Sequence, residues 1–139
     1  MVMIALVFTC MLFMHIIEDF HLQGLLANMK QKNWWKQELS KYKDLPYFKY
    51  KNDYIVALIL HSFEWAFCVC LPLAIWIYKS YGIAGFNTTF FVLFICNTCL
   101  HAIVDDLKCN KFVINLWQDQ LIHIIQIIAW IGTYKFVGV

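Results

Sequence analysis

The chain has 139 residues, of which 62% are hydrophobic and 14% charged, with a formal net charge of +2. Soluble domains carry near a quarter charged residues, so this composition excludes an ordinary soluble domain and points to a membrane protein. All eleven basic residues are lysines, which removes any bidentate guanidinium clamp for phosphate, and no nucleic-acid partner is expected.

A transmembrane helix needs roughly 20 apolar residues. The first apolar run predicts a span over about 2–26. It lacks a basic leading segment, and charged residues follow it directly, so it reads as a retained span rather than a cleaved signal. Its last turns carry His15, Glu18, Asp19, His21 and Gln23. A polar segment over about 28–53 follows, with Trp34, Trp35, Tyr42, Tyr47, Phe48 and Tyr50 set among seven lysines. Rings interleaved with lysines suit the headgroup layer, which predicts an amphipathic segment lying flat there. Pro46 breaks any helix within it.

A second span is predicted over about 54–78, with Pro72 in its far half as a source of kinking. The turn from Lys79 to Gly82 leads to a third span over about 83–107. A second tight connection, Lys108 to Lys111, leads to a fourth over about 112–134. The expected fold is all-α: a single polytopic membrane domain over 1–139, a four-transmembrane-helix up-down bundle with an interfacial loop. Five of the six cysteines lie inside apolar segments, where they read as small helix fillers rather than disulfides or ligands.

Lysine placement predicts orientation. Lys30, Lys32, Lys36, Lys41, Lys43, Lys49 and Lys51 lie in the long loop, and Lys108 and Lys111 in the second tight turn. The opposite side holds only Lys79 and Lys135. That bias predicts a multi-pass protein of a bacterial inner membrane, with both termini outside and the lysine-rich loop cytoplasmic.

All five histidines and six of the nine acids fall in or at the edge of these apolar runs. Each span contributes one pair at helical spacing: His15 with Asp19, His61 with Glu64, His101 with Asp105, and Asp119 with His123. Spacings of three or four residues put both members of a pair on one helix face. In an up-down bundle, pairs late in spans one and three meet pairs early in spans two and four at one depth. Asp19, His61, Asp105 and Asp119 would form an outer layer. His15, Glu64, His101 and His123 would lie about one turn, roughly 5 Å, deeper.

An ionised side chain near mid-bilayer costs roughly 2.5–3.5 kcal/mol, so four unpaired carboxylates would cost about 10 kcal/mol. That rivals the net stability of a whole domain, about 5–15 kcal/mol. A divalent metal is the most economical remedy, and inward-facing His and carboxylate side chains at helical spacing are how bundles hold metals. The candidate ligands are His15, Asp19, His61, His101, Asp105, Asp119 and His123, with Glu64 as candidate general base. Zinc is favoured, with manganese or iron as alternatives. Gln23, Asn97, Asn115 and Gln126 extend the same faces and are candidates to orient the ligands. Glu18 and Asp106 point about 100° from the neighbouring pair members and read as interfacial or supporting groups. His21 reads as an interface histidine, and Lys108 as a membrane-flanking lysine. A buried polar network that only fixes helix packing is the competing reading.

The segment His15-Ile-Ile-Glu-Asp19-Phe20-His-Leu22-Gln23 resembles the H-x-x-x-D-F-x-L-Q signature of a bacterial and phage domain-of-unknown-function family of small membrane proteins. His61 matches that family's second-span histidine. His101-Ala-Ile-Val-Asp105-Asp-Leu-Lys108 resembles its H-x-x-x-D-x-x-K stretch, and Asp119-Gln120-Leu-Ile-His123 its D-Q-x-x-H. The resemblance implies a bacterial or phage membrane protein and carries no activity. The chain is also loosely similar to inner-membrane proteins labelled metal-dependent hydrolases.

The leading functional expectation is a metal-dependent hydrolase acting on a membrane lipid or on a lipid-linked or amphiphilic substrate at the cytoplasmic leaflet. Lysines near the mouth would attract an anionic headgroup. The alternatives are a proton or metal-ion transporter or channel, a phage lysis or host-interaction protein with a structural polar core, and a di-iron oxidase. Homo-oligomerisation is left open.

Overall fold

The computed structural model describes residues 2–42 and 46–137, which form helices and connections with no strand among them. Helix α1 (Val2–Ile17) continues into a π-helical turn, Glu18–Leu22. Three short helices follow: α2 (Leu26–Met29), α3 (Lys32–Ser40) and α4 (Tyr47–Tyr50). The long helix α5 (Asp53–Tyr81) ends in a 3-10 turn, Gly82–Gly85. Helices α6 (Thr88–Cys109) and α7 (Leu116–Val137) complete the chain. Lys43, counted in the lysine bias, lies outside the described residues.

Three segments are long and apolar enough to cross a membrane: Val2–Leu22, Phe48–Gly85 and Thr88–Cys109. Helix α7 matches α6 in length, but Gln118, Asp119, Gln120 and His123 make its first two turns polar. Helices α1 and α5, α5 and α6, and α6 and α7 pack as neighbours, and α7 also touches α1. Leu6, Phe13, Ile59, Phe63, Phe67, Phe91, Ile95, Ile103, Leu121 and Ile125 stay exposed on the outside. An apolar exterior of that extent is consistent with insertion in a lipid environment.

The boundaries differ from those expected, for local reasons. The first membrane-length segment stops at Leu22 rather than near 26, and Gly24 follows with φ +49°, a conformation that favours glycine. Helix α6 starts at Thr88 rather than near 83 because Gly82–Gly85 forms its own turn. Asn87 then caps α6, its Oδ1 accepting from Phe90 N–H at 3.2 Å. Helix α7 starts at Leu116 rather than near 112. Asn115 Oδ1 accepts from Gln118 N–H at 3.0 Å, and Gln118 Oε1 accepts from Asn115 N–H at 3.0 Å, which is a reciprocal capping box. Pro72 sits inside α5 without ending it.

The segment after α1 folds back on the bundle. The Trp35 indole donates to Met29 O at 2.6 Å. Asn110, at the end of α6, donates to Lys30 O at 3.0 Å and accepts from Lys32 N–H at 2.8 Å. Lys30 is thereby buried, 4% exposed, which corrects its placement among headgroup-facing lysines.

The apolar core fills one part of the bundle: Val7, Met11, Val69, Leu73, Ile77, Phe90, Ile127, Trp130 and Tyr134. Trp65 belongs to this core and also borders the polar cluster. Its ring stacks on His101 at 4.1 Å and 17°, and its Nε1–H donates to His15 Nδ1 at 2.9 Å.

Candidate metal centre

Four histidines from four helices are buried together: His15 of α1, His61 of α5, His101 of α6 and His123 of α7. Helical spacing brings the acids with them. Asp19 Oδ2 lies 3.4 Å from His15 Nδ1, and Asp119 Oδ1 lies 3.4 Å from His123 Nε2, both at i and i+4. The rings also meet across helices. His101 Nε2 is 3.2 Å from His61 Nε2, and His101 Nδ1 is 3.2 Å from His123 Nδ1.

Two groups of buried or nearly buried side chains offer ligand atoms within 4.8 Å of one another and could hold a metal ion: Asp19, His61 and His101, and then His101, Asp105 and His123. Around the first, His61 Nε2 is 3.8 Å and His101 Nε2 3.9 Å from Asp19 Oδ1. Asp105 Oδ2 approaches the same nitrogens at 3.3 and 3.8 Å. Two nitrogens on one tetrahedral zinc, each bonded at about 2.0–2.1 Å, would stand about 3.3 Å apart. The His61–His101 spacing fits that.

Supporting contacts set the ring orientations. Gln126 Oε1 is 2.7 Å from His123 Nδ1, and it accepts a hydrogen bond from the tautomer protonated there, which leaves Nε2 for the cluster. Glu18 Oε1 lies 3.6 Å from His61 Nδ1 on the side away from the cluster's shared atoms, and Glu18 is fully buried. The sequence reading left Glu18 as an interfacial or supporting group. It stands three residues after His15, and the wide π turn that begins there keeps both Glu18 and Asp19 inside.

Several candidates stand elsewhere. His15 is buried beside Asp19, but it is in neither ligand group, and its Nδ1 accepts from Trp65. Glu64 is half-buried, belongs to neither group, and lies within electrostatic reach of Glu18 and Cys68. Gln23 donates to the backbone carbonyl of Asp19 rather than to its carboxylate. Asn97 donates to Leu93 O, and its own carbonyl receives Gln126 Nε2, so it ties α6 to α7. Asn115 is the exposed cap of α7 rather than a support for Asp119. His21 is exposed, and Asp106 pairs with Lys111 at 3.0 Å. All six cysteines are free thiols.

Lys30 and Gln120 were missed as parts of the cluster, and Lys108 was read as a membrane-flanking lysine. Lys30 Nζ meets Asp105 Oδ2 at 2.5 Å. Lys108 Nζ meets Asp119 Oδ2 at 2.5 Å and stands 3.7 Å from Asp105 Oδ1, so it is not a free flanking lysine. Gln120 links Asp19 Oδ2 at 3.2 Å with Asp119 Oδ2 at 3.0 Å. The i and i+3 spacing of Asp105 and Lys108 was a usable signal, whereas nothing distinguished Lys30 from its loop neighbours.

No family model, curated protein or solved structure matches this chain. The class is therefore defined by fold and site alone: an all-helical protein with three membrane-length apolar segments and buried His/Asp groups that could hold a metal ion.

Proposed function

We propose that this protein is a four-span, up-down helical bundle of a bacterial inner membrane, with its termini outside, that holds a divalent metal as a hydrolase centre. Asp19, His61 and His101 are the proposed ligands, with Asp105 completing the set. Zinc is favoured, since nitrogen and oxygen donors at this spacing suit it, and manganese or iron are the alternatives.

The observation that carries this reading is a charge imbalance in a closed space. Glu18, Asp19, Asp105 and Asp119 bring four carboxylates, while Lys30 and Lys108 bring two ammoniums. With neutral imidazoles, two negative charges remain, which one divalent cation offsets. Asp19 Oδ1 is buried without a hydrogen-bond partner among the described residues, and it faces the two Nε2 atoms. Acceptors that converge without a donor call for a cation.

A bound zinc would lower the pKa of a coordinated water toward 7. The substrate class is a lipid-linked or amphiphilic molecule reached from the cytoplasmic leaflet. The motif likeness to a bacterial and phage membrane family agrees with the location. A second reading, proton or ion transport, is favoured by one feature: the His61–His101–His123 contacts have hydrogen-bond length and form a continuous row.

Elemental analysis of protein purified in detergent tests the proposal. Zinc, manganese or iron should co-purify with the wild type and be lost in His61→Ala and His101→Ala. Metal-free wild type, or full metal in both variants, would overturn it. Flux across liposomes without turnover of any lipid would favour transport.

A further inference from the structure

The proposed ligands leave one part of the cluster unexplained. His123 Nε2 and Asp119 Oδ1 are 3.4 Å apart and fully buried, and neither has a hydrogen-bond partner among the described residues. His123 Nδ1 is engaged by Gln126 Oε1, and in the neutral tautomer that donates there the lone pair is on Nε2. That lone pair faces carboxylate oxygens: Asp119 Oδ1, and Asp105 Oδ1 at 3.8 Å. Lys108 Nζ reaches Asp105 Oδ1 at 3.7 Å, but on Asp119 its close contact is with the other oxygen, Oδ2, so Asp119 Oδ1 stays without a donor.

We infer that His123 Nε2, Asp119 Oδ1 and Asp105 Oδ1 form a second divalent-cation position, joined to the first through Asp105. The inference rests on the proposed metal centre. Asp105 is suited to the link because Oδ2 faces His61 and His101 while Oδ1 faces His123. Three protein atoms leave this ion's coordination incomplete, as in catalytic rather than closed sites, and paired metals about 3.5–4 Å apart are the usual two-ion arrangement. The buried carboxylates do not offset the charge of a second ion, so its open positions would take hydroxide or an anionic group of the substrate.

Manganese loading of the full-length protein in detergent, after chelation and dialysis, tests this. The wild type should take up two ions per chain and show an exchange-coupled electron paramagnetic resonance spectrum. Asp119→Asn should take up one and show the pattern of an isolated ion. Wild type that saturates at one isolated ion overturns the second position and leaves the metal centre standing. Wild type that binds none overturns both. Uptake of two coupled ions by Asp119→Asn also overturns the assignment. The wild-type measurement decides the question by itself if the variant does not fold.

Discussion

Lys30 and Asp105 lie 75 residues apart in the chain, yet their side chains meet at 2.5 Å with both groups buried. A lysine that would sit among headgroups instead supplies a counter-charge inside the bundle. It can do so because Asn110 holds the backbone directly after it, at Lys30 O and Lys32 N–H, against the end of α6.

Removing that ammonium should be costly. Breaking a buried pair leaves an uncompensated charge and costs about 3–5 kcal/mol. Lys30→Met is expected to lower stability by that order in detergent unfolding assays and to make the segment 26–40 more susceptible to protease. Unchanged stability would mean that Asp105 is neutral or otherwise compensated.

Trp65 joins the apolar core to the histidine cluster. Trp65→Phe keeps much of the ring but loses the hydrogen bond to His15, which should cost about 1–3 kcal/mol if His15 Nδ1 is left unpaired. Thermal unfolding measures the loss. His15→Phe in the same background should show non-additivity, since the two side chains share one interaction.

Glu18 and Glu64 should separate by metal affinity. Glu18 stands behind His61, and loss of a partner to a ligand histidine typically costs 10–100-fold in affinity. Glu18→Gln is expected to weaken zinc binding within that range, whereas Glu64→Gln should keep full metal content. Competition against a fluorescent chelator distinguishes them, and equal affinities would reject the supporting role of Glu18.

Metal removal should loosen the whole bundle. A ligand that binds only the folded state stabilises it by about 2.7 kcal/mol at 100 times its Kd. Chelation should therefore lower the unfolding temperature, and added zinc should restore it. A chelator-insensitive transition would argue for a purely structural polar core.

Gly85 tests packing away from the site. A Cβ there would stand 2.5 Å from Ile77 Cγ2, and Gly85 O accepts from the Tyr134 hydroxyl at 2.5 Å. Gly85→Ala should cost about 1–3 kcal/mol through overpacking while leaving metal content intact.

Much of this architecture was legible in the chain. The apolar runs indicate the membrane-length helices, because burying a backbone in lipid demands helical pairing over about 20 residues. Spacings of three and four brought His15, Asp19, His101, Asp105, Asp119 and His123 into one cluster, because side chains at that interval share a face. The same rule left Glu18 between an interfacial and a supporting place, since it assumes regular α turns and the chain forms a π turn there. It also assigned Asn115 to a helix interior that the capping box excludes.

Residue order alone thus determined that four histidines, one from each long helix, face inward and that Asp19, Asp105 and Asp119 accompany them. Only the tertiary structure decided which atoms converge: Asp19 with His61 and His101, Asp105 between two histidine contacts, and Lys30 folded in from the loop. The physical reason is range. Helical periodicity is set by hydrogen bonds four residues apart, whereas contacts between helices depend on how turns and loops return the chain, which no local spacing records.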